Sequence, residues 1–218
     1  MSKHLQRDLD KLKLDIAHLG SLVEKAINSS IIALISRDSE RAQEVVEKES
    51  VIDHNEVHIE EDCLKILALH QPVAIDLRFI VSVLKVNSDL ERMGDFAVNI
   101  ATRALELNQH DAIDLPSEFH DELPAHINKM VKLALEALVD LDVAKAQQVI
   151  AMDDFVDNVN KNMYVVLKQQ IKNDISSLDR AVNFLSSSRY IERIADLTTN
   201  IAEDIFFMVT GEVVRHKE

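Results

Sequence analysis

From Leu5 to Ile35 apolar side chains recur three and four residues apart, through Leu9, Leu12, Ile16, Leu19, Val23, Ala26, Ile27, Ile31 and Leu34. That spacing puts one apolar stripe along a long α-helix. Arg37-Asp38-Ser39 interrupts the stripe and offers Asp38 or Ser39 as the N-cap of the next helix. A second helical pattern runs from Glu40 to Leu69 through Val45, Ile52, Ile59, Cys63, Ile66 and Leu67. Gln71-Pro72 ends it, because the residue before a proline is held away from helical backbone angles. A third helix covers Asp76–Leu107, and Asn108–Glu122, with Pro116, reads as a linker. Three more helices follow, at Glu122–Leu141 with Pro124 in its first turn, at Val143–Ile171 and at Leu178–Gly211.

The second half repeats the first. Asp89–Ala101 (DLERMGDFAVNIA) aligns with a stretch of Arg189–Asp204 (RYIERIADLTTNIAED), pairing Glu91 with Glu192, Arg92 with Arg193, Asp95 with Asp196 and Asn99 with Asn200 at a constant offset (192 − 91 = 101). Upstream the offset is three larger (137 − 33 = 104), pairing Ala33-Leu34 with Ala137-Leu138, Asp38 with Asp142 and Val45 with Val149. Such self-similarity predicts an all-α chain of two tandem, pseudo-repeated three-helix bundles, residues 1–110 and 111–218. Short links make successive helices antiparallel, with the two bundles end to end or side by side.

Composition agrees with long helices. The chain has three Gly, three Pro and 28% charged residues, and its 47% hydrophobic content suffices for ordinary cores. The single Cys63 excludes an intramolecular disulfide framework and suits a reducing cytosol. There is neither a signal peptide nor a run of about 18 apolar residues. A cytoplasmic protein without membrane insertion is expected. The net charge of −14 argues against nucleic acid and anionic lipid, which need clustered Lys and Arg, and favours cations or basic protein patches.

The chemistry on offer is carboxylate chemistry. A helix with acids at i and i+4 stacks them one turn apart on one face. Nine such pairs occur, and a chain this acidic makes several by chance. Four of them, however, recur at repeat-equivalent positions: Glu49/Asp53 with Asp153/Asp157, and Glu91/Asp95 with Glu192/Asp196. Two pairs meeting across two helices would share hard cations such as Mg²⁺, Mn²⁺, Ca²⁺ or iron. The same pairs are equally compatible with a solvated acidic face. On a helical wheel Met93, Phe96, Ala97, Ile100 and Ala104 form the buried stripe, with Glu91 and Asp95 nearly opposite; Glu192 and Asp196 relate likewise to Ile194, Leu197, Ile201 and Ile205. Any metal would then sit at an open surface. His54 and His58 lie one turn apart beside Asp53 and could lend nitrogen, although a surface role fits them better. Glu-x-x-His, glycine-rich phosphate loops, nucleophile elbows and Cys-x-x-Cys spacings are absent.

The doubled L-E-R-x-x-D-x-x-x-N-I-A pattern, the segment Gln71-Pro72-Val73-Ala74-Ile75-Asp76-Leu77-Arg78 and the ending Gly211–His216 resemble the PhoU family of bacterial phosphate-uptake regulators. The resemblance spans nearly the whole chain, including the duplication. It implies two similar three-helix bundles and surface metal clusters on Glu49, Asp53, Glu91 and Asp95, and on Asp153, Asp157, Glu192 and Asp196. The ions implied are divalent metals or iron, among them Fe, Mn, Mg or Zn. It further implies a non-enzymatic negative regulator of phosphate uptake and phosphate-starvation signalling. Such a protein would be an adaptor between a phosphate ABC transporter ATPase subunit and a sensor histidine kinase, and a homodimer. The second half departs from the pattern in having Asp174–Arg180 in place of the proline-containing segment and Ala195 in place of Gly94. Two other readings stay open: a metal-free helical scaffold and a carboxylate-bridged metalloenzyme. Metal content would separate the scaffold, and a buried site with an open coordination position would mark the enzyme.

Overall fold

The computed structural model describes residues 3–211. Its order is α1 (Lys3–Ser36), α2 (Ser39–Glu47), α3 (Glu49–His70), α4 (Ala74–Leu107), α5 (Leu123–Asp140), α6 (Val143–Ile150), α7 (Asp153–Asn173) and α8 (Leu178–Thr210). No strand occurs among the described residues. A π-helical turn, Glu118–Glu122, precedes α5, so the expected linker carries a helical end, and Pro124 sits in the first turn of α5 as anticipated. The C-terminal part of the Gly211–His216 motif lies outside the described residues; Gly211 itself closes α8 in the left-handed conformation at φ 77°.

The two halves turn their first corner identically. Arg37 and its equivalent Leu141 adopt left-handed angles, at φ 58° and 54°. The next amide reaches back to the fifth preceding carbonyl in each: Asp38 N–H to Ala33 at 3.1 Å and Asp142 N–H to Ala137 at 3.0 Å. That is a Schellman closure, and the same aspartates then cap the following helices. Asp38 accepts from Arg41 N, and Asp142 from Ala144 N and Lys145 N.

One expectation is corrected. The helices expected to run unbroken over Glu40–Leu69 and Val143–Ile171 are each interrupted, at Lys48 and at Ala151–Met152. Lys48 takes φ −94° and ψ 0°, ending α2 through its N–H to the Val45 and Val46 carbonyls and standing as N-cap of α3. Met152 takes φ −89° and ψ −14° at the equivalent place (152 − 48 = 104). Any L-residue reaches this bridge region without glycine or proline. Each break starts a new helix at an acid, Glu49 or Asp153, where unpaired backbone N–H groups favour negative charge.

The bundles lie side by side. α4 packs along α8, and α1 crosses α5. Lys85 meets Asp204 at 3.2 Å while the Phe96 and Tyr190 rings stack at 5.8 Å, so α4 and α8 run antiparallel. The buried apolar residues form one continuous cluster through both halves. α1 is long and apolar enough to cross a membrane by length and composition. Its apolar positions Leu19, Val23, Ile27 and Ile31 are instead buried in this core, at 0–1% exposure.

Candidate metal centres

Each candidate seam lies between two helices, α3 and α4 in the first half and α7 and α8 in the second, and this sets where the acids lie. α4 packs against α1 and α3 as well as α8, so the edge of α4 opposite its deepest stripe lies against α3. Glu91 and Asp95 are therefore half-buried in a seam, not nearly opposite the core as the wheel suggests. Glu192 is half-buried too, and Asp196 alone of the four remains exposed.

In the first half, Asp53 of α3 and Glu91 and Asp95 of α4 bring one carboxylate oxygen each within 4.8 Å of one another. Burial pushes the Glu91 carboxyl above its usual range, with Asp95, Glu56 and Asp53 adding to the rise and Arg92 opposing it. Asp95 is raised by burial and then by Asp53. Glu56, one turn beyond Asp53, is raised by burial, Glu60 and Asp53, and so belongs to the same acidic environment. It is held by Asn87, whose amide donates to the Glu56 carbonyl at 2.9 Å and to Oε1 at 3.4 Å. The internal repeat does not pick out Glu56, whose equivalent is Asn160; its i+3 spacing from Asp53 is the signal for it. Glu49 lies in the first turn of α3, outside the three-carboxylate grouping.

In the second half Asp153 carries the largest carboxylate shift, pushed up to about 6 by burial, then by Asp196, Asp157, Asp154 and Glu192. Asp196 is raised by burial and Asp157, with Arg193 opposing, although solvent still reaches it. All four expected acids therefore face one another electrostatically. They do not bring three ligand atoms to the spacing seen in the first half. Two neighbours draw charge aside: Lys161 Nζ holds Asp157 at 3.0 Å, and Asn160 Nδ2 donates to Glu192 Oε2 at 2.7 Å.

The donor sets suit a hard cation. Carboxylate oxygens crowd together with protonation raised by burial and mutual repulsion, and an ion among them would relieve both. Nitrogen takes no part. His58 turns to α1, with Nε2 3.3 Å from Lys11 Nζ and 3.7 Å from Asp62. Asp15, His58 and Asp62 form a second grouping of metal-ligand type, but Lys11 is the cation held there, in contact with Asp62 and 3.4 Å from Asp15.

The PhoU domain matches the chain twice, over residues 16–104 and 121–205. A Clostridium acetobutylicum protein described as a phosphate-specific transport system accessory protein PhoU homolog is 34% identical, over 97% of this chain and 97% of its own length. A homolog of the same description from Pseudomonas aeruginosa is 35% identical over 99% of this chain and 89% of its own. The crystal structure of PhoU from Pseudomonas aeruginosa superposes with a TM-score of 0.89 at 35% identity, covering 95% of this chain and 99% of that one. The phosphate transport system regulatory protein PhoU from Streptococcus pneumoniae gives 0.84 at 29% identity, covering 96% and 99%. With both halves matched and the fold shared end to end, the chain belongs to the PhoU family.

Proposed function

We propose that this chain is a metal-binding, non-enzymatic accessory of phosphate-specific transport, acting in the cytoplasm as a negative regulator of phosphate uptake and phosphate-starvation signalling. The observation that carries this reading is similarity along the whole chain to relatives described as phosphate-specific transport system accessory proteins. In this role it bridges a phosphate ABC transporter ATPase subunit and a sensor histidine kinase, most simply as a homodimer of chains whose units are residues 1–110 and 111–218. Surface charge sets association rate and salt dependence, so contact with either partner through the acidic seams would weaken as salt rises.

The residues that would hold metal are Asp53, Glu91 and Asp95, with Glu56 beside them, in the first half, and Asp153, Asp157, Glu192 and Asp196 in the second. A bound cation would neutralise the seam between α3 and α4, or between α7 and α8, and brace each helix pair.

Deletion of the gene, followed by complementation, tests the reading. Loss should derepress a phosphate-starvation reporter in abundant phosphate. The wild-type gene should restore repression, and Asp53→Asn/Asp95→Asn should restore it only in part. An unchanged reporter on deletion would overturn the regulatory role. The metal-free scaffold is the second reading; elemental analysis of protein purified without added metal decides between them.

A further inference from the structure

We propose that the groove between α1 and α5 binds a small, multiply charged oxyanion of the phosphate class. The groove has a volume of about 410 Å³ and is lined by Lys25 and Asn28 from α1 and by Asn128, Lys129 and Lys132 from α5. Glu24 and Ser21 complete it, so three ammonium groups face one carboxylate in a chain whose net charge is −14. Several lysines elsewhere are drawn into ion pairs, among them Lys11 with Asp15, Lys48 with Glu44, Lys145 with Asp140 and Lys161 with Asp157. Among the described residues Lys25, Lys129 and Lys132 make no ion pair and no hydrogen bond. Three cations gathered about one carboxylate repel one another, and an entering anion relieves that repulsion.

The polar floor supports this. Asn128 Nδ2 donates to Asn28 Oδ1 at 2.8 Å across the helix crossing. That bond ties the two amides together and leaves both N–H bonds of Asn28 Nδ2 for another acceptor. Lys25 and Lys129 are equivalents under the internal repeat (129 − 25 = 104), one on each helix of this crossing. Lysine serves as a point-charge phosphate binder, and neutral amides add directional donors. The volume accommodates pyrophosphate or a slightly longer phosphoanion. An extended polyanion is disfavoured by the chain's net charge of −14, whereas a compact anion within about 8 Å of the lysines senses them first.

The proposal does not rest on the acidic seams, and chelator-treated protein separates the two. Pyrophosphate titrated into that protein, followed by calorimetry and ³¹P NMR, should bind saturably at one site, more tightly than orthophosphate. Lys129→Gln/Lys132→Gln should weaken it at least roughly tenfold, the equivalent of about 1.4 kcal/mol. Lys168→Gln/Lys172→Gln, exposed lysines of α7, should leave it unchanged. Absence of saturable binding, equal weakening in the α7 pair, or full binding in Lys25→Gln/Lys129→Gln/Lys132→Gln overturns the proposal. Phosphatidylglycerol vesicles form a second arm. Retention on them without pyrophosphate binding would assign the groove to a headgroup and overturn the small-anion reading.

Discussion

Asn160 donates to Glu192 at 2.7 Å in the second half, and the residue at its equivalent position in the first half is Glu56 (160 − 56 = 104). Ser188 in turn donates to Asn160 Oδ1 at 2.8 Å, where the first half has Asn87 holding Glu56. One half thus adds a carboxylate to its seam while the other substitutes a neutral amide that already engages a ligand oxygen. The two seams should differ in cation affinity, the first being tighter. Thermal melts with added Mn²⁺ should show a gain from binding to the folded state. Asp53→Asn/Asp95→Asn should remove more of that gain than Asp157→Asn/Asp196→Asn, and Asn160→Glu should increase it. Equal losses would show that the amide does not matter.

The Asp153 carboxyl, raised to about 6, makes a pH prediction for the metal-free protein. The folded state binds this proton more tightly than the unfolded state, whose value is near 3.8. Stability from this group is therefore greatest below about 4, falls as pH rises from 4 to 6, and stays low above. Asp153→Asn should raise the melting temperature at pH 7.5 and have little effect at pH 4. A pH-independent gain would rule out titration of Asp153 as its cause.

Gly94 lies under Ile52, with an added Cβ 3.1 Å from both Cδ1 and Cγ2 of Ile52. The second half has Ala195 and Val156 at these places, a methyl gained on one helix and one lost on the other. Alanine is favoured over glycine within a helix by about 1 kcal/mol, so Gly94→Ala should do better beside valine at position 52, which lacks the Cδ1 contact and keeps only Cγ2, than beside Ile52. In the presence of Ile52 the clash should cancel that benefit. A double-mutant cycle by urea denaturation should show a coupling of about 1 kcal/mol; additivity would refute the fit.

Lys85 supports Asp204, whose side chain is only 3% exposed, and lies 5.4 Å above the Phe207 ring. Lys85→Met should cost about 2 kcal/mol, in the range for a hydrogen bond to a charged group. Adding Asp204→Asn should recover part of that loss. Chemical denaturation measures both, and a neutral Lys85→Met would show that Asp204 is held by its other contacts.

Much of the fold was legible in the chain. The apolar period located the long helices, Pro124 marked an N-terminus, and the offset of 104 carried Asp38 onto Asp142, each of which caps a helix. The interruptions at Lys48 and Met152 were hidden because the bridge-region backbone needs no special residue there. The wheel misplaced Glu91 and Asp95 because it treats a helix as having one packed face, and α4 is packed by α1, α3 and α8. Repetition does not reveal Glu56, because its equivalent is Asn160.

The antiparallel contact of α4 with α8 runs through a core shared by both halves. A progenitor of half this length would have carried the same apolar face with nothing to cover it except another copy of itself. Its dimer would have been closed about a two-fold axis, as self-complementary surfaces are. Fusion into one chain freed the copies to diverge. The differences between Glu56 and Asn160 and between Gly94 and Ala195 are ones that a dimer of identical chains could not hold, whereas a fused chain can.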